Sequence, residues 1–300
     1  MTSARQRLPI LAIVALVFVT IVWGATFVVM KPAIEQQPFY DFLAFRFTIA
    51  GVIMLLVRPN IITRFTPKLL LRGLVLGILL GLSYITQTIA LEQTTAAITG
   101  FLTGLYVVAT PLLSWILFRQ KIRGRVWIGS VLALVGLGVI SITGGAFEWA
   151  QLWGVACAIL FAAHIVFLGK WAPDLSSYAL TVVQLLVIAV MMWIGAAPGG
   201  IQPPPNGDVW FAVLFSAVLA TAFAFFMQAW AQSRMEASRV AVILTLEVVF
   251  TALIAVMVGQ ETLSVKTILG GLLIVVAMFI VEWPSKRANG PAVIVDPMVH

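Results

Sequence analysis

Long runs of hydrophobic residues, separated by short polar breaks, extend along this sequence from residue 8 to residue 281. A typical run matches the roughly 20 apolar residues that a helix needs to cross the hydrocarbon layer of a bilayer. In lipid each run has to satisfy its backbone hydrogen bonds internally, as a helix does. A transmembrane β-barrel would instead show short segments of alternating apolar and polar residues. The pattern therefore predicts an all-α membrane protein.

Turn-forming residues divide the chain into ten predicted membrane spans. The clearest break is the run Pro-Pro-Pro-Asn-Gly-Asp at 203–208, and the pair Gly144-Gly145 marks another. The predicted spans are 8–30, 39–57, 69–90, 96–118, 126–142, 152–168, 178–197, 209–231, 240–258 and 265–281.

Composition excludes a water-soluble globular protein. Of the 300 residues, 62% are hydrophobic and only 10% are charged, whereas about a quarter are charged in soluble domains. Ten spans would use about 200 residues, so no room remains for a soluble domain. The one cysteine, Cys157, lies within an apolar run, which excludes a disulfide scaffold.

The basic residues fall on one side of the predicted topology. The formal net charge is +7, and fifteen of the eighteen Lys and Arg residues lie in the terminal segments or in alternate connections. Lys31 and Lys266 fall on the other side, and Arg46 lies within the second span. Because cytoplasmic loops carry the excess of Lys and Arg, both termini are predicted to be cytoplasmic. The basic charge is then a topology signal, and no nucleic-acid partner is expected.

The two halves of the chain resemble each other when shifted by 140 residues. The shift places 88–92 over 228–232, Ala97 over Ala237, and 120–121 over 260–261. Each half contains five predicted spans, and because five is odd, the second half would enter the membrane from the opposite side. Inverted repeats of this kind build many secondary transporters. We expect a first five-helix repeat at 1–145, an inverted repeat at 146–284 and a cytoplasmic tail at 285–300; chance similarity between apolar segments is the alternative.

Several motifs resemble one transporter family. The run Trp23-Gly24-Ala25-Thr26-Phe27, followed by Lys31, Pro38 and Arg46, resembles the first two helices of EamA-type transporters in the drug/metabolite transporter superfamily. The run 94–111 is similar to the fourth helix of that family. The segments 237–239, 246–247 and 259–261 are similar to its ninth helix and the loop that follows.

This resemblance implies ten helices, as two inverted five-helix repeats around a central cavity, in a bacterial-type inner (plasma) membrane. It implies export of small metabolites or amino acids, and the chain is also similar to YddG-type aromatic amino-acid exporters, although no short motif fixes that substrate. The family sequence Leu-Glu-Pro-Val is here Leu246-Glu247-Val248-Val249, and Gln120-Lys121 stands where the family often has Gly-Glu. The missing proline argues against inferring a hinge at the first of these positions.

Beyond the first few residues of each span, three ionisable side chains stand out: Arg46, His164 and Glu247. An Arg or an acid at the centre of a span costs about 2.5 to 3.5 kcal/mol, so each should face protein or water. Glu247 could carry a coupled proton, bind a substrate ammonium or join two helices. Arg46 is expected near the outer end of its span, where it would snorkel or pair with Asp41. His164 could bond a substrate or a neighbouring helix.

Polar side chains follow helical spacing in two spans, with Thr99, Thr103, Tyr106 and Thr110 on one stripe and Thr221, Phe225, Gln228 and Gln232 on another. Such stripes either line a wet path or join helices. The predicted substrate-cavity residues are Trp23, Thr26, Tyr84, Gln87, Thr99, Thr103, Tyr106, His164, Thr221, Phe225, Gln228 and Glu247.

Glycine and proline residues predict where helices pack closely and where one helix bends. Gly73, Gly77 and Gly81 repeat at every fourth position, which lets another helix approach closely. Pro111 lies deep within the fourth span, where it is expected to kink the helix and is a candidate hinge.

The motifs favour a carrier over other functional classes. No H-E-x-x-H metal site and no G-x-x-x-x-G-K-[ST] nucleotide loop occurs, so we expect neither an enzyme nor a cofactor or metal. A small-molecule substrate and the lipid bilayer are the expected partners, and proton coupling and homodimer formation stay open. Export of neutral or aromatic amino acids by alternating access is preferred. The alternatives are a proton-coupled exporter of drugs and organic cations, and a channel.

Overall fold

The computed structural model describes residues 4–93, 96–141, 149, 151–259 and 264–282. Every regular element in these ranges is helical, which confirms the all-α prediction. The Gly144-Gly145 break, the Gln260-Glu261 pair and the predicted tail at 285–300 lie outside the described residues.

Thirteen α-helices occur in the described ranges, and several predicted spans consist of two of them. The helices are α1 Ala4–Ile34, α2 Phe39–Val57, α3 Pro67–Gln93, α4 Ala96–Gly104, α5 Tyr106–Phe118, α6 Gly124–Ser141, α7 Gln151–Trp171, α8 Ser177–Ala196, α9 Gly207–Phe215, α10 Ala224–Gln232, α11 Ala237–Leu244, α12 Leu246–Met257 and α13 Val265–Glu282. A π-helical segment, Ser216–Phe223, joins α9 to α10. Short 3₁₀ turns are found at Pro59–Arg64, Ala172–Asp174 and Ala197–Gly199.

Seven helical stretches in the described ranges are long and apolar enough to cross a membrane. They are Ile10–Ile34, Phe39–Val57, Pro67–Gln93, Leu152–Asp174, Ser177–Gly199, Gly207–Gln232 and Ala237–Met257. Three shorter apolar helices, Leu102–Phe118, Gly124–Val139 and Ile268–Val281, coincide with the predicted fourth, fifth and tenth spans. The chain is therefore a multi-pass membrane protein, and the count of ten spans stays a prediction.

Unlike a soluble protein, this bundle exposes many large apolar side chains and buries a set of polar ones beside its apolar core. Large apolar residues such as Leu74 and Ile78 on α3 and Ile194 on α8 are exposed, whereas polar residues such as Ser83 and Gln184 on the same helices are buried. Exposed apolar surface of this extent favours contact with lipid over contact with water. The polar groups lie inside the bundle, where they can meet a substrate.

Helices at equivalent positions in the two halves pack against each other in opposite directions. Along α2 and α8, Trp193 Nε1 donates to Thr48 Oγ1 at 2.8 Å, and Tyr178 OH donates to Met54 O at 2.6 Å. Along α6 and α13, Gly129 faces Val281, while Gly136 faces Ile274 and Gly270, which lie about two to three turns nearer the start of α13. In both pairs the residue numbers rise on one helix as they fall on the other. Antiparallel packing of equivalent helices is what the predicted inversion requires.

The glycine stripe on α3 brings this helix close to α8. A Cβ atom at Gly77 would lie only 2.7 Å from Cβ of Val187, and one at Gly81 would lie 2.8 Å from Sδ of Met191. The small residues therefore allow the two helices to approach closely, as predicted. This contact fixes the part of α3 that leads to Tyr84 and Gln87.

Candidate substrate cavity

A cavity lies about halfway along the long helices. It contains about 600 Å³ of empty space, including space open to solvent. Trp23 on α1, Arg46 on α2 and Phe161 on α7 line it from near the middle of their stretches. The lining residues are Trp23, Thr26, Phe27, Met30, Arg46, Tyr84, Gln87, Thr103, Tyr106, Phe161, His164, Ile165, Phe225, Gln228, Leu244 and Glu247.

Two interrupted helices face this cavity. The turn at Leu105 separates α4 from α5, and the turn at Thr245 separates α11 from α12. The turns lie 140 positions apart (245 minus 105), which is the offset at which the two halves of the sequence match. Each turn places one cavity residue in the first helical turn that follows, Tyr106 in α5 and Glu247 in α12. The second turn forms although Val248 stands where the family has a proline. The sequence argument concerned a hinge, and it stays a prediction.

The π-helical segment Ser216–Phe223 holds two cavity side chains. Trp23 Nε1 donates to Ala220 O at 2.8 Å. Arg46 Nε donates to Thr221 Oγ1 at 2.7 Å. Wider helical turns of this type displace side chains and free carbonyl groups, and they occur often at functional sites. The sequence of this segment reads as an ordinary apolar helix, and the π geometry was not predicted.

Arg46 lies inside the bundle, contrary to the expectation that it would snorkel or pair with Asp41. Only 2% of its surface is exposed. Its Nη2 donates to Tyr84 OH at 3.3 Å, its Nη1 contacts Met30 Sδ at 3.7 Å, and its guanidinium carbon lies 5.1 Å from the centre of the Tyr84 ring. The carboxylate of Asp41 instead accepts the backbone N–H of Gln202 at 2.8 Å. Arg46 is thus fixed at the cavity by polar and aromatic neighbours.

Aromatic rings form one wall of the cavity. The Phe225 ring centre lies 5.4 Å from that of Trp23 and 6.3 Å from that of Tyr84, and the Tyr84 and Phe161 ring centres are 5.8 Å apart. Edge-to-face contacts at such distances stabilise a cluster of rings. Such a wall suits the apolar part of a substrate or a cation.

Two short hydrogen-bonded chains run beside the cavity. The Nε2 atom of His164 and Oε1 of Gln184 are 2.7 Å apart, and Gln184 Nε2 donates to Leu180 O at 3.1 Å. In the second chain Gln228 Nε2 donates to Gln232 Oε1 at 2.9 Å, and Gln232 Nε2 donates to Ile165 O at 2.7 Å. His164 therefore bonds a neighbouring helix, which was one of its two predicted roles.

The carboxyl group of Glu247 faces the same cavity as Arg46. Within the described residues it has neither a hydrogen-bond partner nor a cation within 4 Å. The described residues also include no group of three or more His, Cys, Asp or Glu side chains that could hold a metal ion.

The structure brings ten of the twelve predicted cavity residues together. They are Trp23, Thr26, Tyr84, Gln87, Thr103, Tyr106, His164, Phe225, Gln228 and Glu247. Thr99 and Thr221 are buried but do not line the cavity, and Thr221 accepts a hydrogen bond from Arg46. The assignment of the twelve residues to substrate binding stays a prediction.

Six lining residues were not predicted. They are Phe27, Met30, Arg46, Phe161, Ile165 and Leu244. Phe161 lies three residues before His164 and so on the same helical face, a signal that could have identified it. The apolar members carry no comparable signal, because hydrophobic residues occupy both lipid-facing and cavity-facing positions.

Comparisons with known proteins agree with this architecture. A model of the EamA-like transporter family matches residues 10–142 and again residues 148–283. An uncharacterized transporter of Archaeoglobus fulgidus is 32% identical over 267 residues, which are 89% of this chain and 84% of the relative. The uncharacterized transporter YvbV of Bacillus subtilis is 24% identical over 288 residues, 93% of each chain.

A solved crystal structure shares the fold. It has a TM-score of 0.79 and 20% sequence identity, and the alignment covers 93% of this chain and 99% of the other. The double match of one family model to the two halves also indicates two repeats.

Proposed function

Since the chain belongs to the EamA-like transporter family, we propose that it exports small metabolites, and neutral or aromatic amino acids in particular, by alternating access. As a membrane transporter it needs a site that one substrate can occupy from either side in turn. The observation that carries the proposal is the mid-depth cavity that contains a guanidinium, an unpaired carboxyl group and a wall of aromatic rings. The proposal places this cavity in a bacterial inner (plasma) membrane, with both termini cytoplasmic.

Arg46 is suited to bind the carboxylate of an amino acid. Its contacts with Thr221, Met30 and Tyr84 use three of the five N–H groups that a guanidinium carries. Two N–H groups are left for a ligand, and a guanidinium binds carboxylates in a fixed geometry. No carboxylate of the described residues lies within 4 Å of Arg46, and Glu247 in the same cavity interacts with it only at longer range. A substrate carboxylate would therefore be its direct partner.

The aromatic wall favours substrates with an apolar or aromatic side chain. Burial of such a side chain against Trp23, Tyr84 and Phe225 contributes about 25 cal/mol per Å² of apolar surface removed from water. A sugar phosphate would need several cationic groups instead. Among the described residues that line the cavity, Arg46 is the one cationic residue.

Contacts at the two ends of the bundle would open and close in alternation. On the predicted outer side, Gln37 Nε2 donates to Gln202 O at 2.7 Å, beside the bond of Asp41 to Gln202 N. On the predicted inner side, Arg72 and Asp174 approach to 3.7 Å. The helix turns at Leu105 and Thr245 lie between these ends, where a change in helix direction would move both.

Counterflow in proteoliposomes tests this function. We expect vesicles preloaded with an unlabelled amino acid to take up the labelled form, with saturation and stimulation from the opposite side. Flux that rises linearly with concentration would indicate a channel. Saturable efflux of organic cations with no flux of any of the twenty amino acids would favour the alternative exporter.

Glu247 supports proton coupling as a second property to test. A mid-depth carboxyl group with no hydrogen-bond partner among the described residues is the kind of group that carries coupled protons in membrane proteins. If it does so, Glu247→Gln should retain counterflow at equal pH but lose the acceleration that a pH gradient causes in the wild type. Equal stimulation of both proteins by the gradient would exclude Glu247 from this role.

A further inference from the structure

The two hydrogen-bonded chains beside the cavity have a fixed direction. A backbone carbonyl can only accept, so Gln184 must direct its amide N–H to Leu180 O, and Gln232 must direct its own to Ile165 O. The amide oxygen of each glutamine then faces the next group in its chain. This oxygen accepts from Nε2 of His164 in one chain and from Nε2 of Gln228 in the other.

Each chain therefore ends in an acceptor. With its hydrogen on Nε2, the neutral ring of His164 has only a lone pair on Nδ1. Gln228 keeps its Oε1 as an unused acceptor, beside the second N–H of its Nε2. Both acceptor atoms are buried and have no hydrogen-bond partner among the described residues. His164 is 1% exposed and Gln228 is 2% exposed. A buried acceptor without a donor is unfavourable, so both ends need an N–H or O–H group, which a ligand can supply in place of water.

His164 and Gln228 lie at the same depth on neighbouring parallel helices. Phe161 and Phe225, three residues before them, both contact the ring of Tyr84. One residue after His164, Ile165 O accepts from Gln232, one turn beyond Gln228. The residue numbers rise in the same direction on α7 and α10. The two acceptor residues therefore lie about one helical turn beyond the aromatic wall on both helices. Both residues line the cavity.

We propose that His164 and Gln228 receive the N–H groups of a primary ammonium, so that the transporter selects substrates with a free amino group and rejects their N-trimethylated analogues. The inference rests on the proposed function and assigns a binding site for the ammonium group of the substrate within the same cavity. Arg46 provides donors and these two residues provide acceptors, which gives an amino acid one orientation. A quaternary ammonium satisfies the aromatic wall but offers no N–H to either acceptor.

A matched pair of ligands tests this selection in the wild-type protein. L-phenylalanine and N,N,N-trimethyl-L-phenylalanine share the ring and the carboxylate and differ in the N–H groups. We expect purified full-length protein to bind L-phenylalanine about 10- to 100-fold more tightly, as the loss of hydrogen bonds to a charged donor predicts. Isothermal titration calorimetry measures both dissociation constants.

Two variants of His164 distinguish the roles of its two ring nitrogen atoms. His164→Gln places an amide near the position of Nε2, so it keeps a donor for Gln184 but removes the acceptor at Nδ1. His164→Asn places an amide near Nδ1 and gives up the bond to Gln184. We expect His164→Gln to reduce the preference for L-phenylalanine about tenfold and His164→Asn to keep most of it. Gln228→Leu should reduce the preference in the same way as His164→Gln.

The outcomes distinguish this inference from the proposed function. Equal binding of the two ligands by the wild type would overturn the ammonium site, while saturable amino-acid counterflow would still support transport. An undiminished preference in both His164→Gln and Gln228→Leu would also overturn it. Failure of all twenty amino acids to bind or to exchange would overturn the proposed function together with the inference. The wild-type comparison decides the matter even where a variant does not fold.

Discussion

Replacement of Gly77 by alanine tests the close packing of α3 against α8. The added Cβ would lie 2.7 Å from Cβ of Val187, 2.8 Å from its Cγ1 and 3.0 Å from the backbone oxygen of Gln184. Carbon atoms in favourable contact are about 3.5 to 4.0 Å apart, so the helices would have to separate by about 1 Å. A β-branched side chain and a backbone oxygen cannot turn away. Overpacking of this kind costs about 1 to 3 kcal/mol.

Two other glycines serve as controls for the same substitution. A Cβ at Gly81 would meet Sδ of Met191 at 2.8 Å and its Cε at 2.9 Å, but a methionine side chain is flexible and can move aside. A Cβ at Gly100 would meet nothing within 4 Å, so alanine should stabilise the helix by about 0.5 to 1 kcal/mol.

The assay is thermal unfolding of the purified variants in one detergent. We expect the apparent Tm to fall by several degrees for Gly77→Ala, to fall less for Gly81→Ala, and to stay or rise for Gly100→Ala. Equal shifts for Gly77→Ala and Gly100→Ala would refute the reasoning, because the new methyl group meets Val187 at the first position and nothing within 4 Å at the second.

Two further substitutions test the groups held by the π-helical segment. Arg46→Lys removes the donor to Thr221 and the planar guanidinium, so KM for L-phenylalanine in counterflow should rise about 10- to 100-fold. Uptake of phenethylamine, which lacks a carboxylate, should change little. Parallel losses for both compounds would contradict carboxylate binding. Trp23→Phe removes the donor to Ala220 O and should lower the stability of the protein by about 1 kcal/mol. Thermal unfolding measures this, with Trp149→Phe at an exposed position as the control. Equal stability of the two variants would contradict a structural role for this hydrogen bond.

Hydropathy was sufficient to predict an all-helical membrane protein, because lipid requires each span to be apolar and internally hydrogen-bonded. The glycine stripe was also readable, since residues at every fourth position share one helical face. The prediction for Arg46 was wrong because the position of this residue along its span suggested the outer end of the helix. Its burial depends on Thr221 and Tyr84, which belong to distant parts of the chain.

The polar stripes were only partly correct for a geometric reason. Thr103 and Tyr106 both line the cavity although the turn at Leu105 lies between them, whereas Thr99, one helical turn before Thr103 on α4, does not. Thr221 lies in the π-helical segment, whose wider turns change the phase of the stripe before Phe225 and Gln228. Neither irregularity has a clear signal in the sequence. The side chains that face the cavity depend on where a helix departs from regular geometry, and this is decided by packing.

Pro111 illustrates the difference between a residue that bends a helix and one that drives transport. Its missing N–H frees the carbonyl of Val107, one turn earlier, yet the turn at the cavity is at Leu105, six positions before the proline. The equivalent turn at Thr245 forms with no proline in α12. The chain therefore does not need proline to interrupt a helix at this depth.

We expect Pro111→Ala to retain the turn at Leu105 and to support counterflow at the wild-type rate. Alanine restores one backbone hydrogen bond in α5, so the apparent Tm should stay or rise. The matched change in the second half is Thr251→Ala, since Thr251 lies 140 positions after Pro111 and its hydroxyl bonds only Glu247 O within its own helix. Loss of transport by Pro111→Ala at unchanged Tm, with Thr251→Ala fully active, would assign the moving joint to the proline and contradict a transport cycle based on equivalent turns in both repeats.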